Sequence, residues 1–183
     1  IAAKYDGHVG SYDYQILSGY YRGDIPVGIG WAGNVGQASW KGEATAFFPT
    51  EGVQEFGLTA STAVDYTFPS GWYILGGLLY NHSGETNTAF VQLFEFQPSA
   101  RNLYPYTLAV AAQSSYNISP LWNAALLAIY SPVEVHPLFL SPQLTYSMAQ
   151  NWDLDLIGQI IFNDQNGFES PLQLLFLRVK FSF

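Results

Sequence analysis

Apolar and polar residues alternate along most of this 183-residue chain. In 174–183 one face carries Leu175, Leu177, Val179, Phe181 and Phe183, and the other Leu174, Phe176, Arg178, Lys180 and Ser182. The stretch before it sets Trp152, Leu154, Leu156, Ile160 and Phe162 against Asp153, Asp155, Gln159 and Asn163. Segments 138–148 and 55–68 alternate in the same way. A period of two is that of a strand whose faces meet different surroundings, and a helical period fits none of these segments.

Clusters of Gly, Pro, Asn, Asp and Ser divide the pattern into ten strands. They fall at 11–22, 25–33, 37–49, 55–68, 72–82, 104–117, 121–131, 137–149, 152–163 and 171–183. A short piece at 2–5 reads as an eleventh strand cut off by the start of the chain. As a real strand, it implies further strands before it, because barrels of this kind usually hold an even number. The connections alternate in length. One end has 6–10, 34–36, 69–71, 118–120 and 150–151, all short; the other has 23–24, 50–54, 83–103, 132–136 and 164–170. Short turns on one side and longer loops on the other are the asymmetry of a transmembrane β-barrel.

Composition narrows the setting. Charged residues make up 11% of the chain and aromatics 17%, against about 25% charged in an ordinary globular domain. So few charges do not cover a water-facing surface, and so many apolar residues exclude disorder. The net charge of -8, with six Lys and Arg, argues against a nucleic-acid partner. With no cysteine, disulfides and thiolate metal sites are excluded. The 32 residues between Arg101 and Glu134 lack charge, but Gln113, Asn117, Pro120 and Asn123 interrupt them, so no helical span of about 18 apolar residues exists. Backbone groups must pair within a bilayer, which leaves a single-domain antiparallel up-and-down β-barrel over 1–183.

The aromatic positions support this. Trp72, Trp122 and Trp152 each follow a short turn directly, and Tyr80 and Tyr130 lie eight residues beyond the first two. The same spacing separates Tyr12 from Tyr20 and Trp40 from Phe48. Eight residues correspond to about 26 Å along a strand, or about 20 Å across the bilayer after tilt, near the height of the apolar band. Together with Phe162, these residues are expected to form two girdles at the membrane interfaces, in contact with lipid.

The ending Leu177-Arg178-Val179-Lys180-Phe181-Ser182-Phe183 resembles the terminal signal of Gram-negative outer-membrane β-barrels, of the porin-like kind. The stretch SPQLTYSMAQNWDLDLIGQ is similar to porin-like proteins of Bacteroidetes type. The resemblance implies an outer-membrane location and assembly by a barrel-assembly machinery that reads Phe181 and Phe183 on the last strand. It also implies a signal peptide; the chain begins at Ile1 without one, as expected of a mature or truncated form.

Within such a barrel, Asp13, Lys41, Glu43, Asp65, Asp153, Asp155, Arg178 and Lys180 are expected to line the lumen. Asp153 and Asp155 can pair with Arg178 and Lys180 on the next strand, either biasing ion passage or neutralising one another. The apolar loop residues Phe90, Leu93, Phe94 and Phe96 are expected to fold inward as a plug or to meet a partner protein at loop 83–103. His8, His82 and His136 lie in different turns without metal-site spacing, and no cofactor or metal is expected. Some outer-membrane lipases keep a His and Ser near this height, but adjacent strand residues face opposite ways. The His82–Ser83 step therefore fits that chemistry poorly, and no enzyme activity is expected. The expected function is passive passage of ions or small solutes. The alternative is a non-conducting barrel, or a subunit of a surface complex contacting a partner through its outer loops.

Overall fold

The computed structural model describes residues 1–50, 55–87, 96–164 and 167–182. Its strands are β1 (Ala2–Val9), β2 (Tyr12–Gly19), β3 (Asp24–Val35), β4 (Ala38–Pro49), β5 (Gly57–Thr67) and β6 (Trp72–Asn81). They continue as β7 (Leu108–Ser119), β8 (Trp122–Tyr130), β9 (Leu138–Ala149), β10 (Trp152–Asp164) and β11 (Phe168–Phe181). Each strand pairs antiparallel with its sequence neighbours, in one sheet ordered from β1 to β11. Among the described residues no helix is long and apolar enough to cross a membrane.

The up-and-down all-β plan matches the sequence pattern, with two corrections to the strands. Among the described residues the count is eleven: Asp6, Gly7 and Gly10 predict a turn at 6–10, yet β1 runs through to Val9 against Tyr12. Gly7 serves the ladder instead, because a Cβ there would meet the Tyr14 ring at 2.5 Å. The strand expected from 104 begins at Leu108. Pro105 offers no N–H to a ladder, and Tyr106 is buried in a cluster with Val133 and Val135. Among the described residues the sheet is also not closed, since β1 pairs only with β2, and β11 only with β10.

Two-residue loops at 10–11 and 36–37 turn the first hairpins. Gly10 (φ 61°) and Gly36 (φ 64°) supply the left-handed backbone that matches strand twist there. Pro142 lies inside the sheet, in β9. The β9–β10 ladder passes from Gln143↔Ile157 to Leu140↔Ile160 with no pair at Pro142, where a donor is missing. A Cβ at the facing Gly158 would meet Pro142 Cγ at 3.0 Å.

The register fixes two faces. One collects Ile16, Ile29, Val64, Leu78, Leu126, Leu156 and Leu177, all exposed, at positions tied to one another across the ladders. All five tryptophans (Trp31, Trp40, Trp72, Trp122 and Trp152) lie on this apolar face. The other face carries the polar side chains. The described parts of the 82–107 connection, 82–87 and 96–107, meet the end of the sheet at which the longer loops sit.

Candidate functional site: the polar face and its strap

All eight charges singled out from the sequence fall on the polar face. Asp13 stands opposite Ala32, Ala32 opposite Lys41, and Lys41 opposite Ala63. Glu43 pairs with Ser61, and Asp65 with Ser39 and Leu75. Asp153 and Asp155 face Lys180 and Arg178 on β11. The extra strand adds Lys4, Asp6 and His8 to the same face, opposite Leu17, Gln15 and Asp13.

One ion pair on this face joins β10 to β11. Arg178 donates to Asp155 Oδ2 through Nε at 2.8 Å and lies 2.7 Å from it through Nη2. The Thr145 hydroxyl donates to Asp155 Oδ1 at 2.6 Å, so a carboxylate only 3% exposed has partners on both oxygens. Such satisfaction is what a buried charge requires. The neighbouring pair is different. Asp153 accepts from Ser147 at 2.7 Å, and among the described residues Lys180 makes no ion pair. Lys41 and Asp65 stand 3.8 Å apart, and Lys4 and Asp6 2.9 Å.

A strap crosses the long-loop end of this face. It spans 99–107 and is tied down at three places. Arg101 reaches Asp24 of β3, Nη1 to Oδ2 at 2.6 Å, also donates to the Glu55 carbonyl, and lies over the Phe47 ring. Asn81, at the end of β6, donates through Nδ2 to Asn102 Oδ1 at 2.5 Å and to the Tyr104 carbonyl. Thr107 donates to the Gly84 carbonyl at 2.9 Å. Beyond these ties, Tyr106, Val133 and Val135 form a small buried cluster with Tyr104 against it. Burial pushes the Tyr106 hydroxyl up to about 12 and raises that of Tyr104 as well.

Beneath the strap a cavity of about 180 Å³ lies between Ala100 and Leu103 above and Glu43, Thr45, Thr59 and Ser61 below. A larger one, about 450 Å³, extends along the polar face past Lys41, Leu75, Leu79, Tyr104 and Ile129.

On the apolar face the predicted aromatics gain partners. At the short-turn end Trp72 stacks on Tyr116 (4.8 Å) and Trp122 on Tyr146 (4.5 Å). Tyr12 meets Trp40 at 6.2 Å, and Trp152 meets Phe181 at 4.8 Å. At the long-loop end Phe48 meets Phe56 (5.6 Å), Tyr130 meets His136 (6.2 Å) and Phe162 meets Phe168 (5.0 Å). Tyr20 and Tyr80 lie exposed at the same end.

The sequence reading places the plug at 90–96. Phe90, Leu93 and Phe94 lie outside the described residues, as does Phe183, and among the described residues the segment that reaches the polar face is 99–107. No motif marks Arg101 or Asp24 in the sequence, since one is an arginine in a loop and the other an aspartate after a glycine. The only available signal was Arg101 itself, the single charge in a long stretch of β6–β7 loop and β7. His82 contacts Tyr80, its Nδ1 3.4 Å from the hydroxyl, and the Phe56 ring. Ser83 offers its backbone carbonyl to Asn102. Among the described residues no cluster of three His, Cys, Asp or Glu side chains is arranged to hold a metal.

No known protein family matches the chain, and no curated protein and no solved structure is similar to it.

Proposed function

We propose that this chain builds the wall of an outer-membrane β-barrel through which ions or small solutes pass, with the 99–107 strap narrowing the mouth at the long-loop end. The observation that carries this reading is the division of the sheet. One face exposes aliphatic side chains between two belts of paired aromatics, and the other carries the eight predicted charges together with Lys4, Asp6, His8 and Asp24, with their ion pairs. Water penalises the first face and favours the second; a bilayer outside and water inside suit both. Paired aromatics at both ends fit the two interfaces, where rings with an apolar body and polar tip reside.

The charges suit passage rather than catalysis. Asp13 of β2, Lys41 and Glu43 of β4 and Asp65 of β5 share one face, so a solute moving along it meets both signs of charge. A non-conducting barrel that meets a partner through its outer loops is the second reading. It is favoured by the strap and by Leu75, Leu79 and Ile129, which take up part of the space over the polar face.

The test is unitary current across a planar bilayer, comparing the native chain with Lys41→Glu and Arg101→Ala. Passage through this face predicts steady currents, a shift toward cation preference in Lys41→Glu, and larger steps in Arg101→Ala. A chain that enters the bilayer and stays silent in all three forms would establish the non-conducting reading instead.

A further inference from the structure

The two edge strands run in the same direction. β1 starts at the long-loop end and reaches the short turn at Gly10, and β11 starts beside the same long-loop end and finishes level with Trp152 at the short-turn end. An odd number of up-and-down strands has this consequence: if β1 met β11 directly, their pairing would be parallel. Every pairing in the sheet is antiparallel.

Both edges hold free backbone groups. Tyr20 N donates to Ile1 O at 2.8 Å, so by antiparallel alternation the odd residues of β1 bond to β2. Ala2, Lys4, Asp6 and His8 then direct their N–H and C=O groups to the open side. At the other edge Ser182 N donates to Asn151 O at 2.9 Å, which turns Leu175, Leu177 and Val179 outward by the same alternation. Side chains on both edges are also bare, with Tyr5 63%, Leu175 72% and Leu177 69% exposed. In a bilayer, where no water can satisfy such groups, an open edge is not viable.

We propose that the barrel is completed by an odd number of amphipathic strands that lie between β1 and β11 and run antiparallel to both, one strand being the smallest set. This rests on the membrane-barrel reading above. A second copy of the sheet does not meet the requirement. Inserted in the same orientation, its β11 runs parallel to the first copy's β1. The faces define the missing strand further. It continues Tyr5 and Leu177 with apolar residues on one side, and Asp6 and Arg178 with polar ones on the other. Next to β11 it carries an acidic residue near the short-turn end, where Lys180 lacks an ion pair among the described residues.

Parity makes this testable on the chain as it is, which contains no cysteine. Tyr5→Cys is combined in turn with Leu175→Cys, Leu177→Cys and Val179→Cys. A disulfide needs Cα atoms within about 7 Å, which adjacent strands satisfy and strands two spacings apart, about 10 Å, do not. No intramolecular disulfide is expected. Two extended chains follow, one with a copy of the β10 sequence joined ahead of Ile1 by a short hairpin loop, the other with copies of β9 and β10. The one-strand extension is expected to give a heat-modifiable, protease-resistant monomer, and a cysteine in the added strand is expected to cross-link to both β1 and β11. The two-strand extension is expected to remain open. The proposal is overturned by a Tyr5→Cys disulfide to β11 within the unextended monomer, by equal closure of both extensions, or by a closed dimer linked from β1 of one copy to β11 of the other. Quenching of tryptophan fluorescence by brominated lipid is read in parallel: closure without quenching removes the membrane reading and leaves the strand parity standing.

Discussion

Arg101 and Asp24 stand 77 residues apart in sequence and 2.6 Å apart in space. The contact ties the long loop after β6 to the beginning of β3, and it buries an aspartate that is 1% exposed. Removing either side chain breaks this ion pair in a dry setting, a loss on the order of 3 kcal/mol. Arg101→Ala and Asp24→Ala are each expected to destabilise the folded protein by about that much in denaturant titrations. The double substitution is expected to cost clearly less than the sum, and simple additivity in the double-mutant cycle would remove the latch from the account.

Tyr106 gives the strap a dependence on alkaline pH. Its hydroxyl titrates at about 12 in the folded protein because burial disfavours the phenolate, whereas an unfolded tyrosine titrates near 10. Between those values the unfolded chain loses the proton that the folded one keeps, so stability is unaffected below pH 10 and falls as pH rises toward 12. Strap protection, read by limited proteolysis across this range, is expected to fall in the native protein. In Tyr106→Phe the fall is expected to be smaller; an equal fall in both would assign it to other groups.

Gly84 is expected to be the least replaceable residue of the strap's anchorage. A side-chain carbon built there runs into backbone atoms of Tyr106 and Thr107, which have no rotamer by which to move aside. Gly84→Ala should therefore displace the strap and cost about 1–3 kcal/mol. Gly76, where a Cβ meets nothing within 4 Å, is the control: Gly76→Ala should be neutral or mildly stabilising, and a matching loss at both sites would rule out the contact as the cause.

The five tryptophans share one face, so their fluorescence reports on what that face touches. Reconstituted into vesicles, the protein is expected to show blue-shifted emission and strong quenching by brominated acyl chains. Trp122→Ala should also lose the stacking on Tyr146, worth about 1 kcal/mol. Emission as in water, with no quenching, would contradict lipid contact.

The strand plan was legible because a period of two survives in nearly every strand, and the eight candidate charges needed only that period to be assigned to one face. What the sequence concealed were places where a local signal had a tertiary cause. Gly7 reads as a turn residue but makes room for the Tyr14 ring. Tyr104 and Tyr106 keep strand alternation but belong to a strap, because Pro105 breaks the ladder and Val133 and Val135 cover Tyr106. Arg101 stands out in the sequence only as an isolated charge, and its partner was beyond reach, since Asp24 lies on a strand far away in the chain and nothing in either neighbourhood encodes the meeting. The stacked pairs were half visible: Trp72 and Trp122 stand out after their turns, whereas Tyr116 and Tyr146 are fixed as partners only by register.

Every ladder in the sheet joins neighbours in sequence, so the wall can form one hairpin at a time from contacts that close short stretches of chain. The Arg101–Asp24 tie is of another kind, because it requires β3, β4, β5 and β6 to be in register before its two ends can meet. The strap is accordingly the last part to seat and the first to release. Weakening it should quicken unfolding far more than it slows folding, and until it seats, the long-loop end of the wall stands uncovered.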